Sequence, residues 1–146
     1  MSNRVVAVER FIPAAPQAIF DVLADPSRHP EIDGSGSVKS ARPDAPERLA
    51  LGTKFGMSMK VGVPYSISNT VVEFEEGRLI AWQHFGRHIW RYRLEPVPGG
   101  TTVTEEFDYR KALSPQVLEV LQYPTRHRAD MEKTLERLAG VVTTRP

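Results

Sequence analysis

The chain has 146 residues, no cysteine, and 19 basic against 18 acidic residues, a formal net charge of +1. That length fits one domain able to bury its own core, and the missing cysteine excludes disulfides, thiolate catalysis and cysteine-based zinc sites. The charges are interspersed and define no basic face for nucleic acid, and no run approaches the roughly 20 apolar residues of a membrane span. Met1–Arg4 leads into a stretch without the apolar centre of a signal peptide, so a cytoplasmic chain is expected.

Residues 4–12 are rich in β-branched side chains and predict a strand, stopped by Pro13. Pro16 suits a first helical position, and Ile19, Phe20 and Leu23 follow at helical spacing, so 16–24 is an amphipathic helix ended by Asp25-Pro26. Residues 27–33 suggest a second short helix before the flexible break Gly34-Ser35-Gly36. The Pro-rich, polar stretch 41–48 reads as a surface loop.

Beyond residue 51 the period becomes two. Phe55, Met57, Met59 and Val61 alternate with Lys54, Gly56, Ser58 and Lys60. Gly62-Val63-Pro64 reads as a turn. The strand from Tyr65 to Phe74 alternates poorly, which suggests a bulge and leaves an exposed edge, hence a homodimer, as one option. Strands 79–85 and 88–95 flank Gly86-Arg87, and Pro96–Gly100 turns the chain into strand 101–110. Ser114 and Pro115 open a helix in which Val117, Leu118 and Leu121 form one apolar turn. Pro124 breaks or kinks it. Met131, Leu135, Leu138 and Val142 then form a stripe. A helix over 114–140 would be about 40 Å long. Strands and helices are segregated, so the class is α+β, a single domain over residues 1–146 with the last helix covering the apolar face of the sheet.

Phe20–Gly36, Arg78–Trp82, Trp90–Pro96 and Gly100–Glu105 together resemble, in order and over nearly the whole chain, the polyketide cyclase/dehydrase and lipid-transport family. The resemblance implies the START-like helix-grip fold: a curved antiparallel sheet of about six or seven strands wrapped around a long C-terminal helix, with two short helices after the first strand and an internal cavity. Members include cyclases, lipid carriers and hormone receptors. They share no catalytic motif, so no site residue transfers from the family.

Side-chain pairing sets the registers. Placing His84 opposite His88 sets Trp82 against Trp90 and Ile80 against Tyr92, and points His84, Trp82, His88, Trp90 and Tyr92 inward. For the next hairpin, Leu94 opposite Val103 brings Tyr92 to Glu105, and a two-residue shift brings Trp90 there instead. In either register Glu105 shares the apolar phase of Val103, Phe107 and Tyr109, where a carboxylate must be paired or protonated. The Tyr92 and Tyr109 hydroxyls are natural partners.

The expected wall of the pocket is Phe55, Met57, Met59, Trp82, Trp90, Phe107, Met131 and Leu135. The expected polar points are Asp33, Tyr65, Asn69, His84, His88, Tyr92 and Glu105. His29 and Asp33 border the mouth in the resembled fold. Two functions fit such a pocket. One is binding of a small lipophilic molecule: a lipid, a polyketide or an aromatic metabolite. The other is cyclisation, aromatisation or dehydration of a bound poly-ketone, with His84 or His88 as base, Tyr92 or Tyr65 as donor and Glu105 orienting the imidazole. A third reading is an interaction domain whose pocket its own tryptophans fill. No cofactor and no metal is expected, because the His84, His88 and Glu105 spacing specifies none.

Overall fold

The computed structural model describes residues 4–35, 38–41, 46–84 and 87–143. Strand β1 (Val5–Ile12) leads to α1 (Pro16–Leu23), a 3-10 turn (Pro26–Arg28) and the short α2 (His29–Ile32). Strands β2 (Val38–Ala41), β3 (Lys54–Val61), β4 (Val63–Glu75), β5 (Leu79–His84), β6 (Ile89–Val97) and β7 (Gly100–Asp108) follow. Helices α3 (Pro115–Val120) and α4 (Tyr123–Thr143) close the chain. Phe85, Gly86, Gly36 and residues 42–45 of the Pro-rich stretch lie outside the described residues.

The strands form one antiparallel sheet in the order β1-β7-β6-β5-β4-β3-β2. Hairpins join the neighbours from β2 to β7, and β1 returns to pair with β7, Val8 opposite Glu105. The predicted β5–β6 register is observed, with Trp82 opposite Trp90 and Ile80 opposite Tyr92. Of the two β6–β7 registers, the structure takes the one that pairs Leu94 with Val103 and Tyr92 with Glu105. The poor alternation of β4 is a bulge between Val71 and Glu73. That strand is interior, between β3 and β5, so it offers no edge for a dimer. The sheet edges are β1 and β2.

Three further differences have plain causes. Gly62 alone makes the β3–β4 turn, at φ +73°, so Val63 and Pro64 already pair with Val61 and Lys60. Val38–Ala41 is a strand that the sequence reading does not assign, only Ala41 falling in the expected loop; its four residues, Val-Lys-Ser-Ala, carry too little pattern to announce one. The C-terminal helix breaks before its proline, not at it. Gln122 takes φ +62° between α3 and α4, and Pro124 enters the first turn of α4, where its missing N–H costs nothing. Helix α4 alone, 21 residues, is about 31 Å long.

Helix α1 buries Ile19, Phe20, Val22 and Leu23, and α4 buries Met131, Thr134, Leu135 and Leu138. Leu135 and Leu138 are almost wholly inaccessible, as are Ile80, Val103 and Phe107 on the inner face. Burying each such side chain contributes about 1.5–3 kcal/mol. The α2 end is clamped to α4. The Gly34 N–H donates to Thr134 Oγ1 at 2.8 Å, and Arg137 donates to the Asp33 carbonyl at 2.8 Å. A side chain at Gly34 would collide with the α4 backbone, its Cβ falling 2.7 Å from Thr134 N. Between the sheet and the first half of α4 there is room.

Candidate functional site

That room is a cavity of about 520 Å³. Its walls follow from the registers, because residues two apart on each strand share a face. Strand β3 supplies Phe55, Met57 and Met59, β4 supplies Tyr65, Ile67 and Asn69, and β5 supplies Trp82 and His84. Trp90 and Tyr92 come from β6 and Glu105 from β7. Every side chain predicted for the pocket lines it except Phe107 and Leu135. Phe107 lies behind the wall, its ring 4.8 Å from Trp90 and 4.7 Å from His127. Leu135 is one turn beyond Met131, in the solid core. Tyr65 is half exposed and Arg126 is exposed, and they mark where the cavity meets solvent.

Sequence reasoning missed most of the contribution of α4. Tyr123, Arg126, His127, Asp130 and Thr134 all face the cavity beside Met131. The signal was present for His127, which stands four residues before Met131 on the same stripe. With His29 included, all four histidines of the chain line this one cavity.

Each titratable group has an identifiable setting. His29 is buried, stacked on Trp82 with ring centres 4.9 Å apart, and its Nε2 lies 2.8 Å from the Leu23 carbonyl. A carbonyl only accepts, so Nε2 carries the proton, and burial favours the neutral ring. His29 is therefore anchored in place. The Asp33 carboxylate is equally committed: it accepts from Ser35 N–H and hydroxyl and, at 2.9 Å, from the Val38 N–H, holding the loop after α2.

His84 and His88 flank the β5–β6 turn, where their backbones bond at 3.0 Å, and their rings stack at 4.7 Å. Burial lowers both, and the neighbouring His84 and His127 help push His88 down to about 4. His127 is likewise lowered by burial, against the opposing pull of Asp130. Among the described residues no group of three or more His, Asp or Glu is placed to hold a metal ion.

Glu105 is 3% exposed. Tyr92, rather than Tyr109, is its partner: the Tyr92 hydroxyl donates to Oε2 at 3.0 Å, whereas that of Tyr109 donates to Glu119 on α3. Oε1 has no hydrogen-bond partner among the described residues. Burial raises Glu105 to about 8, with Asp33 and Asp130 adding repulsion against the favourable Tyr92 bond. Asn69 Oδ1, on the neighbouring wall, is also buried without a partner among the described residues. At neutral pH the cavity therefore presents neutral imidazoles, a protonated carboxyl group and an open amide oxygen among aromatic and thioether walls.

No helix among the described residues is long and apolar enough to cross a membrane. Protein CV1439 of Chromobacterium violaceum has a similar crystal structure, at TM-score 0.78 and 15% identity, covering 99% of this chain and 100% of that one. Protein NE0264 of Nitrosomonas europaea superposes at TM-score 0.76 and 14% identity, over 97% and 96% of the two chains. In sequence, the chain is 38% identical over 133 residues to protein Rv0088 of Mycobacterium tuberculosis, covering 86% of this chain. It spans 59% of that relative's length. The profile of one family matches residues 4–143. On that match the chain belongs to the polyketide cyclase / dehydrase and lipid transport family.

Proposed function

We propose that this protein binds a small lipophilic molecule, with few polar groups, in the cavity between the sheet and α4. The observation that carries the reading is a cavity of about 520 Å³ left between well-packed walls, inside the range of roughly 300–1,000 Å³ usual for small-molecule sites. The two tryptophans do not fill it; Trp82 and Trp90 form part of its wall. Cores are normally packed as densely as crystals, so a cavity of this size among mostly apolar side chains supports a binding site. Met57 and Met59 adapt to varied apolar shapes, and Phe55, Trp82 and Trp90 offer flat faces. Native mass spectrometry of the purified protein, followed by solvent extraction, tests the reading. A co-purified lipophile at near one equivalent is expected. A protein that carries nothing and whose tryptophan fluorescence ignores a panel of lipophiles overturns it.

One observation favours the catalytic alternative, cyclisation or dehydration of a poly-ketone. The same cavity holds unprotonated imidazoles, His88 at about 4, and a protonated carboxyl, Glu105 at about 8. An imidazole free to take an α-proton and an acid able to hydrogen-bond the resulting enolate are the two groups that reaction needs. Turnover of a poly-β-ketone substrate supports this alternative. Undiminished turnover in a His84→Ala, His88→Ala double variant removes those residues as the base.

A further inference from the structure

Among the described residues Glu105 is the one carboxyl group set into the apolar inner face of the sheet, and its two oxygens differ. Oε2 accepts from Tyr92 of β6 at 3.0 Å. Oε1 is buried without a partner among the described residues, in a side chain that lines the cavity. From β1 the register partner is the apolar Val8. The charges that act on Glu105 are Asp33, after α2, and Asp130, on α4, and both are negative. The lining cation Arg126 belongs to the exposed end of the cavity, one turn of α4 before Asp130. A second carboxylate brought beside Oε1 would meet the negative charges of Asp33 and Asp130 among largely apolar walls. A neutral oxygen there would meet a donor, because Tyr92 occupies the other carboxyl oxygen and leaves Oε1 to carry the proton.

We propose that Glu105 is a specificity-determining residue: it holds a proton on Oε1, donates it as a hydrogen bond to an acceptor oxygen of the ligand, and so selects uncharged ketones, esters or ethers over carboxylates of the same shape. The proposal rests on the ligand-binding reading and narrows it, removing fatty-acid and aromatic carboxylate anions from the favoured ligands. Asn69 adds a second point. Its Oδ1 is buried and open on β4, three strands away from β7, so the sheet path between the points is about 14 Å at ~4.8 Å per strand. Curvature of the sheet shortens that path. A flat molecule of two or three fused rings, with an acceptor oxygen at one end and a hydroxyl at the other, satisfies both.

Calorimetric titration of the full chain with 6-acetyl-2-naphthol and with 6-hydroxy-2-naphthoate, which differ only in methyl ketone against carboxylate, tests the proposal. Near pH 6 the naphthoate is ionised, and the ketone is expected to bind at least tenfold more tightly. Glu105→Gln, whose amide N–H still donates, keeps the preference. Glu105→Leu weakens the ketone fivefold or more and leaves the naphthoate within about twofold, so the preference collapses. Naphthoate binding equal to or tighter than the ketone, or an unchanged preference in Glu105→Leu, overturns the proposal while ligand binding stands. No heat from either probe up to millimolar concentration, in a protein that also co-purifies with nothing, overturns both.

Discussion

Replacing Glu105 with Gln separates a buried acid from an ordinary core position through its pH dependence. In the fold Glu105 titrates at about 8, against an ordinary value of 4.5 that the unfolded chain recovers. Below 4.5 both states bind the proton and the residue adds no pH dependence. Between 4.5 and about 8 the unfolded state releases the proton and the native state keeps it, so stability falls as pH rises, and above about 8 the loss is constant. At ~1.4 kcal/mol per pH unit, the loss is about 1 kcal/mol at pH 5, about 3 at pH 6.5 and about 4–5 at pH 9. Gln does not titrate, so every other pH-dependent group cancels when the variant is compared with the wild type. Urea denaturation of both proteins across this range is the assay. The variant should gain on the wild type by roughly 3–4 kcal/mol from pH 5 to pH 9, whatever its offset from the altered Tyr92 bond. A difference that stays flat within about 1 kcal/mol over that range means Glu105 is ionised in the native protein, and refutes the reasoning.

Leu135→Ala, in the solid core beyond the cavity, should cost about 2–5 kcal/mol in urea denaturation and leave lipophile affinity unchanged; a changed affinity with intact stability would place Leu135 in the wall. Gly34→Ala forces a Cβ to 2.7 Å from Thr134 N and 2.8 Å from Lys133 Cβ. The α2–α4 clamp must shift, at a cost of about 1–3 kcal/mol, and amide exchange should accelerate in residues 29–35 more than in β5–β7; uniform acceleration would argue against a local clamp. His88, at about 4 in the fold against 6.5 unfolded, should stay neutral by NMR titration down to about pH 5, and stability should decline as pH falls through that window because only the unfolded chain takes up the proton. A His88 midpoint above 6 would contradict its burial between His84 and His127.

The sheet was legible because its pattern is two-sided. Trp82, Trp90, Ile80 and Tyr92 share the inner face of β5 and β6 in the observed phase, and a one-residue slip would send them to opposite faces. Where a segment lacks that contrast the sequence is silent. The short β2, Val-Lys-Ser-Ala, gains strand form from pairing with β3 rather than from its own residues. Pro124 illustrates a different ambiguity. The same ring that kinks a helix interior also opens a helix, and the choice fell on the left-handed Gln122, a residue with no propensity signal for that role.

The candidate site divides along the same line. Its sheet-borne half, from Phe55 to Glu105, was readable from alternation, and Glu105 stood out because a carboxylate occupied an apolar phase. Of the helix-borne half only Met131 was foreseen, because the stripe was started there, one turn too late for His127. The decisive electrostatics had no local signature at all. Asp130 acts on Glu105 from α4, and Asp33 acts from a segment whose Gly34 packs closely against the α4 backbone. Asp33 itself is spent on the Ser35 and Val38 amides, so its charge is fixed where it opposes a second negative charge nearby. The consequence is a pocket whose acid holds its proton at a pH where Glu in water is ionised, and whose histidines stay neutral to lower pH than they do in water. A ligand suited to it need bring no charge, only an oxygen for Glu105 and a flat body for Trp82 and Trp90.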